Sequence, residues 1–267
     1  MSRAASCSTR WPKRIDTAPR KAVKPMAEII IERHGAWAEV IFNRPERRNA
    51  INLGFAELFR DALHALNVEP ELRAIVLSGS GGAFCSGLDL KEFNVQPPPP
   101  WRAEFGTAWD DVHMALMESP KVLITAVQGG AINGGAALAL AGDLTVCGRS
   151  AYLLVGEAQF GMPVPRNVSW LVLKHGEALA MRFALLAERV GADDLLRLGV
   201  ATEVVDDTQV LARARAIAER IGSFPAQGVC NTKAAIRNTA SRAGALQWYR
   251  PALDAFPNKP FVPAKVA

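Results

Sequence analysis

Two glycine-rich stretches, residues 79–89 and 129–137, constrain this chain more than any other feature of its sequence. Each follows an apolar run typical of a buried strand and precedes a run typical of a helix. Glycine lets backbone N–H groups approach a ligand closely, and the start of a helix places the positive end of its dipole nearby. Two such turns can hold one oxygen atom between two backbone amides, which is the geometry of an oxyanion hole.

The hydrophobic pattern around these stretches alternates between strands and helices, which predicts an α/β fold with a helical C-terminal part. The predicted strands cover residues 28–33, 37–42, 73–78, 122–127 and 201–205, and the predicted helices cover residues 103–117, 178–187, 192–198, 210–221 and 232–250. Asn52 is expected to cap a further helix. Four consecutive prolines, residues 97–100, cannot be helical and predict a stiff loop at the rim of a site.

Charge divides the chain unevenly. Residues 1–25 contain seven basic side chains and one acidic side chain, which leaves 24 basic and 25 acidic side chains in residues 26–267. The net charge of +5 therefore belongs to a basic N-terminal extension, and the near-neutral remainder argues against a nucleic-acid partner. We expect the extension to be a disordered arm, an organelle transit peptide or the product of a start codon placed too early, with an α/β core over 26–205 and a helical region over 206–267.

The cysteines and the apolar runs exclude other classes of protein. The four cysteines, Cys7, Cys85, Cys147 and Cys230, have no metal-ligand spacing, so we expect a reducing, cytoplasmic compartment and no metal. Cys85 is expected to be a small apolar wall residue and not a reactive thiol. The longest apolar runs are far shorter than the roughly 20 residues that cross a bilayer, so no membrane span is expected.

Four motifs occur in an order that identifies a family. They are Phe42-Asn43-Arg44-Pro45-Glu46 with Asn49-Ala50-Ile51-Asn52, then residues 82–90, then residues 126–143, and finally Phe160-Gly161-Met162-Pro163. With them the chain resembles the crotonase superfamily, the enoyl-CoA hydratase/isomerase group, over residues 27–223. The resemblance implies a spiral of ββα turns, C-terminal helices that pack a homotrimer or a dimer of trimers, and an acyl-CoA substrate with no separate cofactor.

The same resemblance assigns the site residues. The oxyanion-hole amides would be those of Leu88 and Gly134, holding the thioester carbonyl of an acyl-CoA. The residues expected to bind the substrate are Arg47, Arg48, Ala50, Phe84, Ser86, Asp89, Leu90, Gly135, Arg166, Lys259 and Phe261. Arg47 and Arg48 would meet the phosphates or adenine of CoA, although a solvated pair on a turn is an equal alternative. Asp89 is also a natural helix N-cap. Arg166 would suit an acidic acyl group, although a structural arginine at a helix N-terminus is an equal alternative.

The acid/base groups are where the chain departs from the family pattern. Hydratases of this family use two glutamates, and on the quoted motifs Ala137 and Val164 stand at their positions, with a shortened segment after Pro163. The remaining acid/base candidates are Glu157, expected just before a strand that leads to Pro163, and His113, in the helix after the proline run.

Two hypotheses follow. The chain is an enzyme that stabilises a thioester enolate, as a hydratase, isomerase or related lyase with a rearranged acid/base set, or it is a catalytically silent acyl-CoA-binding protein. A nicotinamide enzyme is disfavoured because Phe84 stands where a dinucleotide fingerprint needs its third glycine. RNA binding, which one relative in the superfamily performs, is disfavoured by the neutral body.

Overall fold

The computed structural model describes residues 27–239 and has two sheets. Six strands form the larger sheet in the order β1-β2-β3-β4-β6-β9, and three form the smaller sheet in the order β5-β7-β8. The strands are β1 (Ile29–Arg33), β2 (Trp37–Phe42), β3 (Ala74–Gly79), β4 (Val122–Val127), β5 (Gly130–Ile132), β6 (Leu144–Gly148), β7 (Tyr152–Leu154), β8 (Val190–Gly191) and β9 (Glu203–Val205). The helices are α1 (Leu53–Asn67), α2 (Leu90–Phe93), α3 (Arg102–Glu118), α4 (Gly134–Ala141), α5 (Pro165–His175), α6 (Glu177–Leu186), α7 (Ala192–Arg197), α8 (Val210–Gly222) and α9 (Ala226–Thr239).

The larger sheet is buried on both faces, as its apolar strands predict. Apart from the antiparallel pair β1 and β2, its neighbouring strands run parallel. Along β3 the side chains alternate, so that Ala74 and Val76 pack with α8 while Ile75 and Leu77 face the main core. The α/β fold is therefore confirmed. The predicted division at residue 206 stays a prediction, and α8 packs directly on the sheet.

The first two strands, the capped helix and the last strand lie where the sequence predicts them. The side chain of Asn52 accepts a hydrogen bond from the Phe55 N–H at 2.8 Å and so caps α1. Phe55 and Phe59 of α1 pack against Phe42 of β2, with ring centroids 5.1 and 5.2 Å apart. These contacts fix α1 over the face of the sheet that also carries the two glycine-rich stretches.

Helix α9 is attached to the body by buried cations. Lys233 pairs with Asp143 at 2.5 Å and also donates to the Lys121 carbonyl, while Arg237 donates to the carbonyls of Met117 and Ser119 and pairs with Asp143. Burial disfavours the charge of Asp143, but the two cations outweigh it and hold the pKa of that carboxyl below its ordinary value. Helix α9 is thereby joined to the C-terminal end of α3.

Two helix predictions need correction. The last helix was predicted to begin at residue 232, but α9 begins at Ala226, and the predicted residues 240–250 lie outside the described part of the chain. Helix α5 was not predicted as a unit; it begins with Pro165, whose fixed φ suits the first turn of a helix. No helix within residues 27–239 combines the length and the apolar character that crossing a membrane requires.

Candidate active site

The two glycine-rich stretches lie side by side in the structure. Cys85 and Ala131 form a parallel bridge in which the Ile132 N–H donates to the Cys85 carbonyl at 3.1 Å and the Cys85 N–H donates to the Gly130 carbonyl at 3.4 Å. Gly135 makes this approach possible, because a Cβ atom there would lie 2.1 Å from the Cys85 carbonyl oxygen. The bridge brings the turn at Leu88 next to the start of α4.

The backbone amides of Leu88 and Gly134 are both left without a partner among residues 27–239. Leu88 and Ile51 form an isolated parallel bridge. Its hydrogen bonds, each 2.8 Å long, run from the Ile51 N–H to the Gly87 carbonyl and from the Asp89 N–H to the Ile51 carbonyl. Since neither bond uses the Leu88 N–H, that N–H points away from the bridge. Gly134 is the first residue of α4, where the N–H has no partner in the helix. A Cβ on Gly87 would lie 3.6 Å from the Gly134 nitrogen, so the two amides are neighbours.

Leu88 and Gly134 both line a cavity of about 720 Å³. Its wall includes Leu88, Gly134, Trp109 and the prolines 98–100, so the proline run does lie at the rim of a site, as predicted. Trp109 stands against the start of α4, since a Cβ on Gly134 would lie 3.6 Å from its ring. The lining is mostly apolar, which suits an acyl chain and strengthens electrostatic interactions inside the cavity.

Glu157 is the one carboxyl group among the described residues that line this cavity. Burial raises its pKa from 4.5 to about 7, against the smaller opposing effects of backbone N–H groups and Arg166. Its Oε1 accepts a hydrogen bond from the Asn167 side chain at 3.2 Å, and its buried Oε2 has no partner among the described residues. A carboxyl group with a pKa near 7 can both take and give a proton at neutral pH.

The local structure at Glu157 differs from the expectation. Glu157 was expected just before a strand, but it follows strand β7 and begins a short helical turn that runs to Phe160. The wrong prediction came from the apolar residues 152–155, which were not recognised as a strand. The turn is held to the second glycine-rich stretch, since the Gly156 N–H donates to Asn133 Oδ1 at 2.9 Å.

His113, the other acid/base candidate, does not reach the cavity. It is fully buried, and its Nδ1 accepts a hydrogen bond from the Trp170 indole at 3.0 Å. Its ring meets the edge of Trp109 with centroids 4.7 Å apart. Burial, together with the positive charge of Arg166, holds the pKa of His113 well below its ordinary value, so the side chain is neutral. The expectation that His113 serves as an acid or base is therefore corrected: it packs behind Trp109.

Arg166 lies in the cavity wall at the start of α5, but its charge is already paired. Its Nε donates to Asp110 Oδ1 at 2.9 Å, and its Nη2 contacts the same oxygen. The pair joins α5 to α3. The expectation that Arg166 would meet an acidic acyl group is thus weakened, because Asp110 already holds part of its guanidinium.

Asp89 and Ala50 support the first glycine-rich turn from outside the cavity. Asp89 Oδ1 caps α2 by accepting from the Glu92 N–H at 3.3 Å, and its Oδ2 pairs with Arg44 at 3.1 Å. Arg44 is itself buried, donates to the Ala50 carbonyl at 2.5 Å and pairs with Glu28 and Glu92. Neither residue borders the cavity, and their predicted contacts with the substrate stay predictions.

Phe84 and Gly135 are also structural. Phe84 is fully buried and packs edge-on against Phe42, with centroids 5.4 Å apart, so its ring is in the core and not in the substrate path. Gly135 acts through the close approach to Cys85 described above. Burial raises the pKa of the Cys85 thiol to about 12, which agrees with a packing role and not with a reactive thiol.

Of the other residues predicted to bind the substrate, some line the cavity and some lie beside it. Ser86 and the half-exposed Leu90 line the cavity. Arg47 and Arg48 are exposed beside it, where the Ser86 N–H donates to the Arg48 carbonyl at 3.0 Å. Their roles toward CoA stay predictions. The predicted contacts Lys259 and Phe261, like the N-terminal extension, lie outside the described residues.

Sequence reasoning missed two residues of the site, Asn133 and Asn167. Asn133 has φ 52° and ψ −112°, an uncommon conformation for a residue other than glycine, directly before Gly134. Asn167 is 2% exposed and contacts Glu157. The Asn-Gly-Gly sequence was a usable signal for the first, but no pattern marks Asn167. Ala137 and Val164 both line the cavity, and their correspondence to the two family glutamates stays a prediction.

A group of possible metal ligands, Glu32, His34 and Glu39, lies on the hairpin away from this cavity. Arg215 already pairs with both carboxylates, and Glu39 also accepts the Ser78 hydroxyl at 2.5 Å. These contacts account for the cluster as an ion-pair network.

Comparison with known proteins gives consistent matches. A model of the family described as enoyl-CoA hydratase/isomerase matches residues 32–252. The 1,2-epoxyphenylacetyl-CoA isomerase of Escherichia coli strain K12 is 31% identical over 201 residues, covering 73% of this chain and 76% of the relative. The carnitinyl-CoA dehydratase of Proteus mirabilis is 30% identical, covering 80% and 86%. The crystal structure of an enoyl-CoA hydratase/isomerase from Xanthobacter autotrophicus Py2 superposes with a TM-score of 0.78 at 31% identity, covering 86% of each chain.

Proposed function

Because the chain belongs to the enoyl-CoA hydratase/isomerase family, we propose that it is an acyl-CoA isomerase that moves a proton through a thioester enolate. Its α/β fold is that of the crotonase superfamily. The observation that supports the proposal is that three residues line one apolar cavity: Leu88 and Gly134, whose amides have no partner among the described residues, and Glu157, whose pKa is raised.

The proposed chemistry assigns each group one task. The two N–H groups receive the thioester oxygen, and they bind it more strongly as negative charge develops on it. Ionised Glu157 removes a proton from the α-carbon and becomes a carboxylic acid. The same acid returns the proton at another carbon of the conjugated enolate, which shifts the double bond. Glu157 thereby returns to its ionised state.

The number of carboxyl groups favours isomerisation over hydration. Adding water in the manner of the family's two-glutamate enzymes needs a second carboxyl group, and Ala137 and Val164 supply only a methyl and an isopropyl group to this cavity. A proton shift within one substrate needs a single group that takes and then gives the proton, and a pKa of about 7 suits both halves. We therefore assign Glu157 the role that one of the family's glutamates performs.

Deuterium incorporation tests this proposal. The protein is incubated in D₂O with butyryl-CoA, phenylacetyl-CoA, 2-enoyl-CoA and 3-enoyl-CoA thioesters, and the products are weighed by mass spectrometry. We expect deuterium at the α-carbon and interconversion of the enoyl isomers without net addition of water. The Glu157→Gln variant keeps the shape of the side chain and should bind the same thioesters while losing the exchange.

The other outcomes contradict the proposal in distinct ways. Thermal stabilisation by acyl-CoA without any exchange identifies a silent binding protein. Rapid water addition at the double bond identifies a hydratase, and no stabilisation by any CoA thioester removes the acyl-CoA assignment itself.

A further inference from the structure

The side-chain amide of Asn167 contacts the two halves of the site at once. Its Nδ2 donates to Glu157 Oε1 at 3.2 Å and to the Asn133 carbonyl oxygen at 3.2 Å. That carbonyl belongs to the same peptide unit as the Gly134 N–H, one of the two unpaired amides. We infer that Asn167 is a positioning residue that couples the acid/base Glu157 to the oxyanion hole, an inference that rests on the proposed function.

The orientation of the amide follows from its neighbours. An Asn side chain offers two N–H donors on one atom and an acceptor on the other. The Asn133 carbonyl oxygen is an acceptor, and so is ionised Glu157, so the NH₂ group must face both. Asn167 Oδ1 is buried and has no partner among the described residues, so the side chain gains nothing else from this position. The contribution of the Asn167 side chain therefore comes from its two N–H donors.

Asn133, whose carbonyl belongs to the same peptide as the Gly134 N–H, is held through its backbone N–H, its side chain and its carbonyl. The Asn133 N–H donates to the Leu154 carbonyl at 2.7 Å, and Asn133 Oδ1 accepts from the Gly156 N–H at 2.9 Å. Its carbonyl accepts both the Ala137 N–H at 3.0 Å and the Asn167 side chain. These bonds keep Asn133 at positive φ, where a non-glycine residue is otherwise disfavoured. They aim the Gly134 N–H, and hydrogen bonds to the carbonyl polarise the same peptide and strengthen its N–H as a donor.

The contact with Glu157 acts on its protonation. An N–H donor to a carboxylate favours the ionised form, so Asn167 opposes the effect of burial on Glu157. Three other charged groups lie in or behind this part of the wall. They are Arg166 on α5, its partner Asp110 on α3, and Arg102 on α3, whose guanidinium lies over the Phe93 ring. A substitution at Asn167 leaves all three in place, so its effect on Glu157 can be separated from theirs.

The variant Asn167→Leu keeps the branched shape of the side chain, removes both donors without adding a charge beside Glu157, and so tests the coupling. With the thioester that exchanges fastest in the D₂O panel, we expect kcat to fall about tenfold or more, as the loss of one charge-assisted hydrogen bond implies. The limb of the pH profile that follows ionisation of Glu157 should move upward by about one pH unit, with KM changed less than twofold. The matched control is Asn67→Leu, since the Asn67 side chain donates to the Ala115 carbonyl at 3.1 Å and accepts from the Ser119 hydroxyl at 2.6 Å, remote from the cavity. The control should leave kcat and the pH profile unchanged.

A second measurement does not depend on turnover. The carboxyl of Glu157, labelled with ¹³C, is titrated by NMR in the wild type, in Asn167→Leu and in Asn167→Ser, the last of which serves if the first does not fold. An upward move of the midpoint in the variants supports the coupling even if no acyl-CoA is turned over, in which case only the proposed function fails. An unchanged midpoint, or an unchanged pH profile together with an unchanged kcat, overturns the inference.

Discussion

Replacing Glu157 with Gln should stabilise the folded protein at alkaline pH while it removes activity. In the unfolded chain this carboxyl ionises near pH 4.5, whereas in the folded protein burial raises its pKa to about 7. Between these values the unfolded chain releases its proton first, so the free energy of unfolding falls as the pH rises, and the full loss is reached above pH 7. At about 1.4 kcal/mol for each tenfold change in proton affinity, the loss is about 3 kcal/mol.

The Glu157→Gln variant has the same shape and no charge to bury, so this loss should vanish. The Gln carbonyl still accepts the hydrogen bond that Asn167 donates to Glu157 Oε1 at 3.2 Å. Urea unfolding at several pH values is the assay. We expect equal stability of wild type and variant near pH 4.5, and an advantage of about 3 kcal/mol for the variant at pH 8, or a rise in Tm of about 6 °C or more.

The matched control is Glu118→Gln, which removes one negative charge from an exposed position on α3. The control variant should show no such growing difference between pH 4.5 and 8. If the difference between wild type and Glu157→Gln stays constant across this range, Glu157 is not titrating within a buried site, and its assignment as the proton carrier fails with it.

Two further changes probe the glycine turns and the missing second carboxyl group. Gly135→Ala places a Cβ 2.1 Å from the Cys85 carbonyl oxygen, so we expect the free energy of unfolding in urea to fall by about 1–3 kcal/mol and most of the exchange activity to be lost. The control Gly228→Ala, with open space around it on α9, should not destabilise the protein. Normal activity in Gly135→Ala would contradict the requirement for close approach of the two turns. Ala137→Glu adds a carboxyl group to the cavity and should introduce measurable water addition to a 2-enoyl-CoA, followed by loss of the substrate's absorbance; an unchanged product distribution would show that the number of carboxyl groups does not select the reaction.

The sequence was sufficient for the elements whose signal is local. Buried strands such as β3 and β4 are apolar along their whole length, and Asn52 precedes a helical repeat, so both kinds of element can be predicted from neighbouring residues alone. The adjacency of residues 79–89 and 129–137 was also within reach, because both follow parallel strands at the same edge of a sheet.

The acid/base group could not be settled from local pattern. Strand β7 has only three residues, and its partners β5 and β8 are equally short or shorter. Neither its length nor an alternating pattern therefore marks it in the sequence. The position of Glu157 relative to a strand was therefore assigned wrongly. Glu157 contacts Asn167 of α5, and its turn is bonded to Asn133 of the second glycine-rich stretch. Such long-range contacts have no signature in the residues beside Glu157. His113 shows the converse, since a titratable side chain on a helix was buried where it meets no substrate.

The cations of α9 connect this last described helix to a wall of the cavity. Arg237 and Lys233 occupy the carbonyl groups at and just after the end of α3, the helix that also presents Trp109 to the cavity. A truncation before Ala226 would remove the hydrogen-bond donors of three carbonyl groups and the two cations that pair with Asp143. The C-terminal end of α3 would then lose these contacts. Helix α9 thus supports α3 from outside the cavity. A change in its contacts with the end of α3 would shift α3 and, with it, the part of the wall that contains Trp109.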